Sequence, residues 1–153
     1  METYEFMRVV GERTSKIDKV YHDWAKSHGI SYNVLAVLYT AYKNENCSQK
    51  YICEEWYVPK QTVNTICKDL IKLGIITQVH NPEDRRQACI SLTEKGKEFA
   101  EPIVSELLEI ESRVLARMGS SETLQLLKLY CDFVESIEIE FENSETNHTI
   151  NEK

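Results

Sequence analysis

Glycine and proline are scarce in this chain, five and three among 153 residues. The glycines stand singly, so no glycine-rich loop is available to cradle a phosphate, and no glycine- or serine-rich linker divides the sequence in two. Cysteine occurs at Cys47, Cys53, Cys67, Cys89 and Cys131, an odd set with no C-x-x-C spacing. That argues against a disulfide framework and a zinc ribbon alike, and leaves most thiols reduced and packed. No apolar run approaches the roughly 18 residues of a membrane span. Met1-Glu2-Thr3-Tyr4-Glu5 offers neither the basic region nor the apolar stretch of a signal peptide. A cytoplasmic protein without membrane association is the expectation.

Net positive charge is missing too: the formal net charge is −7. For the whole chain this opposes nucleic-acid binding, but the charge is unevenly spread. Residues 31–93 carry seven basic and six acidic side chains, whereas residues 94–153 carry six and fourteen. The acid lies in the C-terminal part. Lys50, Lys60, Lys68, Arg85 and Arg86 remain to line one face of the middle part as a local positive stripe.

What is present is helical periodicity. A first helix is predicted from Tyr4 to about Ser27, closed by His28-Gly29, and a second, mostly apolar one from Tyr32 to about Lys43, capped by Ser31. Ser48 caps a short helix through about Trp56. Thr93 caps a long one to about Met118 that contains Pro102, where a kink is expected. Ser120 opens the last helix, with Leu124, Leu127, Tyr130, Val134, Ile137 and Phe141 in register. Residues 143–153 are polar and read as a disordered tail, leaving one domain over 1–142.

The segment from Pro59 to Gly96 carries the chemistry. Val63, Ile66, Leu70 and Leu73 recur at three- and four-residue spacing and predict a buried stripe, while Lys60, Gln61, Thr62, Asn64, Thr65 and Lys68 occupy the other face. Those side chains are of the types that hydrogen-bond to base edges and phosphates. Gly74 stops this helix. Ile75 to His80 and Ala88 to Leu92 then form a hairpin with Asn81-Pro82-Glu83-Asp84-Arg85-Arg86-Gln87 at its tip. A recognition helix followed by a wing has this order; a solvated helix face followed by a charged turn has the same composition.

Val58-Pro59-Lys60-Gln61-Thr62-Val63, Leu70 to Gly74, and Asp84, Arg86, Leu92, Thr93 and Gly96 in a D-x-R…L-T-x-x-G arrangement resemble the MarR family of bacterial winged helix-turn-helix transcriptional regulators. The resemblance implies a mainly α fold with a small β-hairpin: a winged helix-turn-helix over about 31–93, and dimerisation helices over about 4–27 and 94–142. It implies a homodimer on a pseudo-palindromic operator in double-stranded DNA, usually a repressor, released by a small-molecule or stress signal. Ser48, Gln49, Lys50, Lys60, Gln61, Thr62, Asn64, Thr65, Lys68, Asp84, Arg85 and Arg86 are then the expected DNA-binding set. Within it Arg86 matches a minor-groove arginine, Asp84 orients an arginine and Arg85 contacts phosphate.

Many members of that family bind phenolic or lipophilic effectors, and Tyr21, Trp24, Tyr32, Tyr39 and Tyr42 are the candidate lining here, although aromatic residues at helical spacing also serve as core. The family's peroxide-responsive branch uses a first-helix cysteine, and none precedes Cys47. His22, Asp23 and His28 are close in sequence, but a metal site needs several ligands converging, and surface histidines account for them without one. No nucleophile is paired with a base at recognisable spacing, so neither catalysis nor a cofactor is expected. Two alternatives stay open: a winged-helix module of another regulator family, and a winged helix used for protein contacts.

Overall fold

The computed structural model describes residues 2–80 and 88–151, with side chains described for 2–79 and 89–144. Six helices and three short strands follow in the order α1 (Thr3–Ser27), α2 (Tyr32–Lys43), β1 (Cys47–Ser48), α3 (Gln49–Trp56), α4 (Lys60–Lys72), β2 (Ile76–His80), β3 (Ala88–Leu92), α5 (Glu94–Met118) and α6 (Ser120–Asn151). The strands make one antiparallel sheet in the order β1-β3-β2. This is the helical fold with a small β-hairpin that the sequence predicts, with one strand more. Among the described residues no helix is long and apolar enough to cross a membrane.

The chain divides into two compact units, Met1–Glu106 and Leu107–Lys153. In the first, α2 is the central element. Leu35, Ala36, Val37 and Leu38 are wholly buried on consecutive positions, as in a helix enclosed on all sides. Around them lie Ile52 of α3, Val63 and Cys67 of α4, Ile76 and Ile90 of the sheet, and Ala100 and Val104 of α5, all at most 1 % exposed. Each fully buried aliphatic side chain of this kind contributes about 1.5–3 kcal/mol. Ser31 caps α2, its hydroxyl accepting the N–H of Val34 at 3.2 Å.

The buried stripe of α4 differs in one respect from its expected composition. Val63, Cys67 and Leu70 are buried, Ile66 is half-buried, and Leu73 is 60 % exposed. Pro59 stands at the N-cap, and its carbonyl accepts the N–H of Val63 at 3.1 Å. Gly74 turns the chain out of α4 with φ of 69°, a left-handed conformation that glycine adopts without cost.

In the second unit α6 presents large apolar side chains on several faces: Leu124, Leu126, Leu127 and Leu129 are 67, 53, 59 and 56 % exposed. α6 runs on through the polar segment from Asn143 as far as Asn151. Neither glycine nor proline follows Gly119 to stop the helix.

Candidate nucleic-acid interface

Two helices and a turn of fixed geometry build the surface. Ser48 ends β1 and caps α3, its hydroxyl accepting the N–H of Tyr51 at 3.0 Å. Gln49 beside it is half-buried, and Lys50 is exposed with its ammonium 3.5 Å from Glu54 one turn on. The turn into α4 is set by the carbonyl of Cys53, which accepts the N–H groups of both Tyr57 and Val58. Val58 is buried and pins the turn to the core. Tyr57 takes up φ of 51° and ψ of 36°, a left-handed conformation that costs a non-glycine residue roughly 1–2 kcal/mol.

Burial of Val63, Cys67 and Leu70 turns the opposite side of α4 to solvent. Lys60, Gln61, Thr65 and Lys68 are exposed, and Thr62 and Asn64 are half-buried at the margins. Lys60, Asn64 and Lys68 are four apart and form one row; Gln61 and Thr65 form the row beside it. Thr65 donates its hydroxyl to the Gln61 carbonyl at 2.9 Å, which leaves its oxygen as an acceptor. Donors, acceptors and two cations therefore share one face of a rigid element, the assortment that hydrogen-bonds to groove edges and flanking phosphates. Asp84, Arg85 and Arg86 lie outside the described residues.

The wing's base is described in full. Ile76 pairs with Leu92 and Val79 with Cys89, while Cys47 pairs with Ile90 on the other side of β3. Asn46, at φ of 59°, ties β1 to β3: its N–H reaches Ser91 Oγ at 3.3 Å, and that hydroxyl donates to Asn46 Oδ1 at 2.9 Å. At the foot of the hairpin Thr93 donates its hydroxyl to the Gly74 carbonyl at 2.6 Å and accepts the N–H of Gly96 at 2.9 Å. Its own N–H goes to the Ile75 carbonyl at 3.0 Å. The Leu92-Thr93…Gly96 pattern thus works as a clasp between the end of α4 and the start of α5.

Of the five candidate effector residues the structure groups three. Tyr21 and Tyr32 have ring centroids 6.4 Å apart, and Tyr32 and Tyr39 stand edge-on to Trp56 at 5.8 and 5.7 Å. Trp56, not singled out by the sequence reading, is the hub of this cluster and donates its indole N–H to Thr40 Oγ1 at 2.8 Å. Trp24 packs on His28 instead, at 4.1 Å, and Tyr42 is half-buried outside the ring cluster. A cavity of about 480 Å³ is lined by Tyr32 with His22, Asp23 and Lys26. A second, about 400 Å³, lies between the α1–α2 turn, the late part of α4 and the start of α5, walled by Ile30, Val34, Ile66, Leu70 and Phe99 with Lys95 at its edge. Nothing in the sequence signals that groove, because its walls come from three separate segments.

His28 links the end of α1 to α5. Nδ1 lies 2.9 Å from the Trp24 carbonyl and Nε2 lies 3.2 Å from Glu106 Oε2. Both partners are acceptors, so both ring nitrogens are best served when protonated. The bond to the Trp24 carbonyl, then the Glu106 carboxylate, hold the imidazole pKa above its ordinary value against the opposing effect of burial. A raised folded pKa gives stability that is present below about pH 6.5 and fades as pH rises through the raised value. His28→Asn should therefore lower the melting temperature at pH 5.5 and have much less effect at pH 8.5; a pH-independent difference in paired thermal melts would contradict this role.

With the geometry in place, comparison decides the family. The sequence model of the MarR family matches residues 28–87. The chain is similar to NMB1585, a MarR family regulator from Neisseria meningitidis: the two are 33 % identical and superimpose with a TM-score of 0.82 over 90 % of this chain and 97 % of that one. The chain belongs to the MarR family. Its relatives include the HTH-type transcriptional regulator SarZ of Staphylococcus epidermidis, 29 % identical over 86 residues that span 56 % of this chain and 58 % of that protein. SarZ of Staphylococcus aureus is 28 % identical over 109 residues, 71 % of each. The Staphylococcus aureus MarR structure, with salicylate and kanamycin bound, is 21 % identical and covers 90 % of this chain and 93 % of that one at a TM-score of 0.67; at that identity the shared property is the fold.

The thiols of this MarR-family chain are set apart by burial. Cys47, Cys67 and Cys89 are buried, Cys53 is half-buried and Cys131 is exposed. Burial pushes the pKa of Cys47 and of Cys67 up to about 11, so both are thiols, not thiolates, at neutral pH and poor nucleophiles. In native protein they should resist maleimide for hours and react promptly once unfolded, as mass spectrometry of labelled peptides would show. Among the described residues no three His, Cys, Asp or Glu side chains converge to hold a metal ion.

Proposed function

We propose that this MarR-family regulator is a homodimeric repressor that reads a pseudo-palindromic operator with α4 and its wing and leaves it when an effector or stress signal changes the spacing of the two recognition helices. The observation that carries the reading is the division of α4 into a buried Val63-Cys67-Leu70 side and an exposed Lys60-Gln61-Lys68 side. Two such helices related by a two-fold axis and placed about 34 Å apart match successive turns of one face of the duplex. Support for an effector comes from the salicylate in the Staphylococcus aureus MarR structure and from the groove against Ile66 and Leu70. A small apolar molecule seated there would press directly on α4.

The test is a fluorescence-anisotropy titration of labelled duplexes selected by the protein, at several salt concentrations. Tight binding that weakens as salt rises supports the proposal. No salt-dependent affinity for any duplex would favour a winged helix used for protein contacts. Within the same assay the two rows of α4 should separate: Lys68→Ala weakens selected and scrambled duplexes alike and flattens the salt slope by about one unit. Gln61→Ala instead relaxes base preference with the slope retained. A lysine variant with altered base preference would contradict the division.

A further inference from the structure

The fold does not explain why residue 57 is a tyrosine. It ends α3 in a left-handed conformation, φ 51° and ψ 36°, which the turn requires and which glycine or asparagine adopts more readily than a residue with a bulky side chain. The ring does not compensate by packing: it is 88 % exposed. Among the described residues its hydroxyl has no partner. A large amphipathic side chain thus projects from a backbone position of fixed conformation, two residues ahead of the Pro59 cap of α4 and three ahead of Lys60, the first base-facing candidate.

In helix-turn-helix docking the first helix crosses the sugar-phosphate backbone while the N-terminal part of the second enters the major groove. The turn between them consequently meets the backbone at the groove's lip. A tyrosine hydroxyl is one of the donors that proteins direct to phosphate oxygens there, and a ring with two side-chain torsions costs less to order than a lysine. We propose that the Tyr57 hydroxyl donates a hydrogen bond to a phosphate oxygen flanking the groove that α4 enters, setting the depth and angle of that helix. The proposal rests on the DNA-binding reading of α4.

Three properties follow from a neutral donor on a phosphate. Removing it weakens binding to all sequences equally, leaves the salt slope intact because no counterion-releasing charge is lost, and leaves the fold intact. Tyr57→Phe and Tyr57→Gly would be compared with the wild-type full chain on a duplex selected by the wild-type protein and on a scrambled duplex of equal length. Tyr57→Phe is expected to lose roughly 10- to 100-fold in affinity for each protomer's contact on both duplexes, the range for one hydrogen bond to a charged acceptor, with an unchanged salt slope. Tyr57→Gly is expected to bind at least as poorly while melting at or above the wild-type temperature, opposite signs that a purely structural tyrosine would not produce. A Tyr57→Phe variant that binds like wild type, or one whose loss is confined to the selected duplex, overturns the phosphate contact while the DNA-binding reading stands. A wild-type protein without affinity for any duplex overturns both.

Discussion

Gly96→Ala should be among the most damaging single-methyl additions available to this chain. A Cβ built at Gly96 would lie 1.8 Å from the Ile75 carbonyl oxygen and 2.9 Å from its carbon, with Leu92 Cδ2 at 3.3 Å. The obstacle is backbone, and it is not free to retreat. The Ile75 carbonyl accepts the N–H of Thr93 at 3.0 Å, Thr93 in turn holds the Gly74 carbonyl at 2.6 Å, and Lys95 donates to the Leu73 carbonyl at 2.7 Å. Relief therefore requires α5 to lift from the end of α4, breaking this clasp. Overpacking costs typically 1–3 kcal/mol and occasionally more, and a clash with anchored backbone belongs at the upper end, so about 3 kcal/mol is expected. For a chain of this length that is a fall of roughly 10 °C in melting temperature. Gly11→Ala is the control: nothing lies within 4 Å of its Cβ in mid-α1, and alanine there should stabilise by up to about 1 kcal/mol. Urea denaturation of the two variants beside wild type measures both; a Gly96→Ala protein within about 0.5 kcal/mol of wild type, the margin in which ordinary surface substitutions fall, would refute the clasp.

The same residues show what was legible beforehand. Thr93 and Gly96 entered as a family signature at the wing, and the structure gives the pattern a local mechanical cause that any one-dimensional reading would miss, since the obstructing atom belongs to Ile75. The caps at Ser31 and Ser48 and the stops at Gly29 and Gly74 were readable because a cap or stop is a contact between near neighbours. The buried side of α4 was readable to within its width. On a helix turning about 100° per residue, Cys67 and Leu70 fall about 40° and 20° from Val63, but Leu73 falls about 80° away. Apolar counting favoured leucine at the edge over cysteine at the centre.

Other features depended on long-range contacts. β1 has two residues, too few to carry a period of two, and only its pairing with Cys89 and Ile90 reveals it. Trp56 looked like the end of a short helix, yet the α2–α3 packing makes it the centre of the aromatic cluster. The exposed ring of Tyr57 acquires meaning only with its backbone angles. The exposed polar residues of α4 were legible because the alternation of polar and buried positions is local. The part of the binding set at Asp84, Arg85 and Arg86 rests on the family resemblance.

Leu127→Glu should separate assembly from folding and thereby test the proposed dimer. Leu127 is 59 % exposed, and it recurs with Leu124, Tyr130, Val134 and Phe141 along α6. So large an exposed apolar surface on one helix marks an interaction site. α1 carries a smaller counterpart in Phe6, Met7, Ile17 and Val20, which are 39, 42, 58 and 58 % exposed. A second copy of this chain is the proposed cover. Because Leu127 is already largely in water within one protomer, glutamate there should leave the protomer's stability nearly unchanged. In a dimer seam the same carboxylate would be buried without a partner, at a cost on the order of several kcal/mol, and each 1.4 kcal/mol is a tenfold loss of association. Sedimentation should then report a folded monomer at concentrations where wild type is dimeric. Operator affinity should fall by roughly 100-fold or more, because the second half-site no longer benefits from being tethered to the first, although α4 and the wing are chemically untouched. A Leu127→Glu protein that stays dimeric would remove this face of α6 from the seam, and a monomer that binds a full operator as tightly as wild type would refute the two-fold mechanism itself.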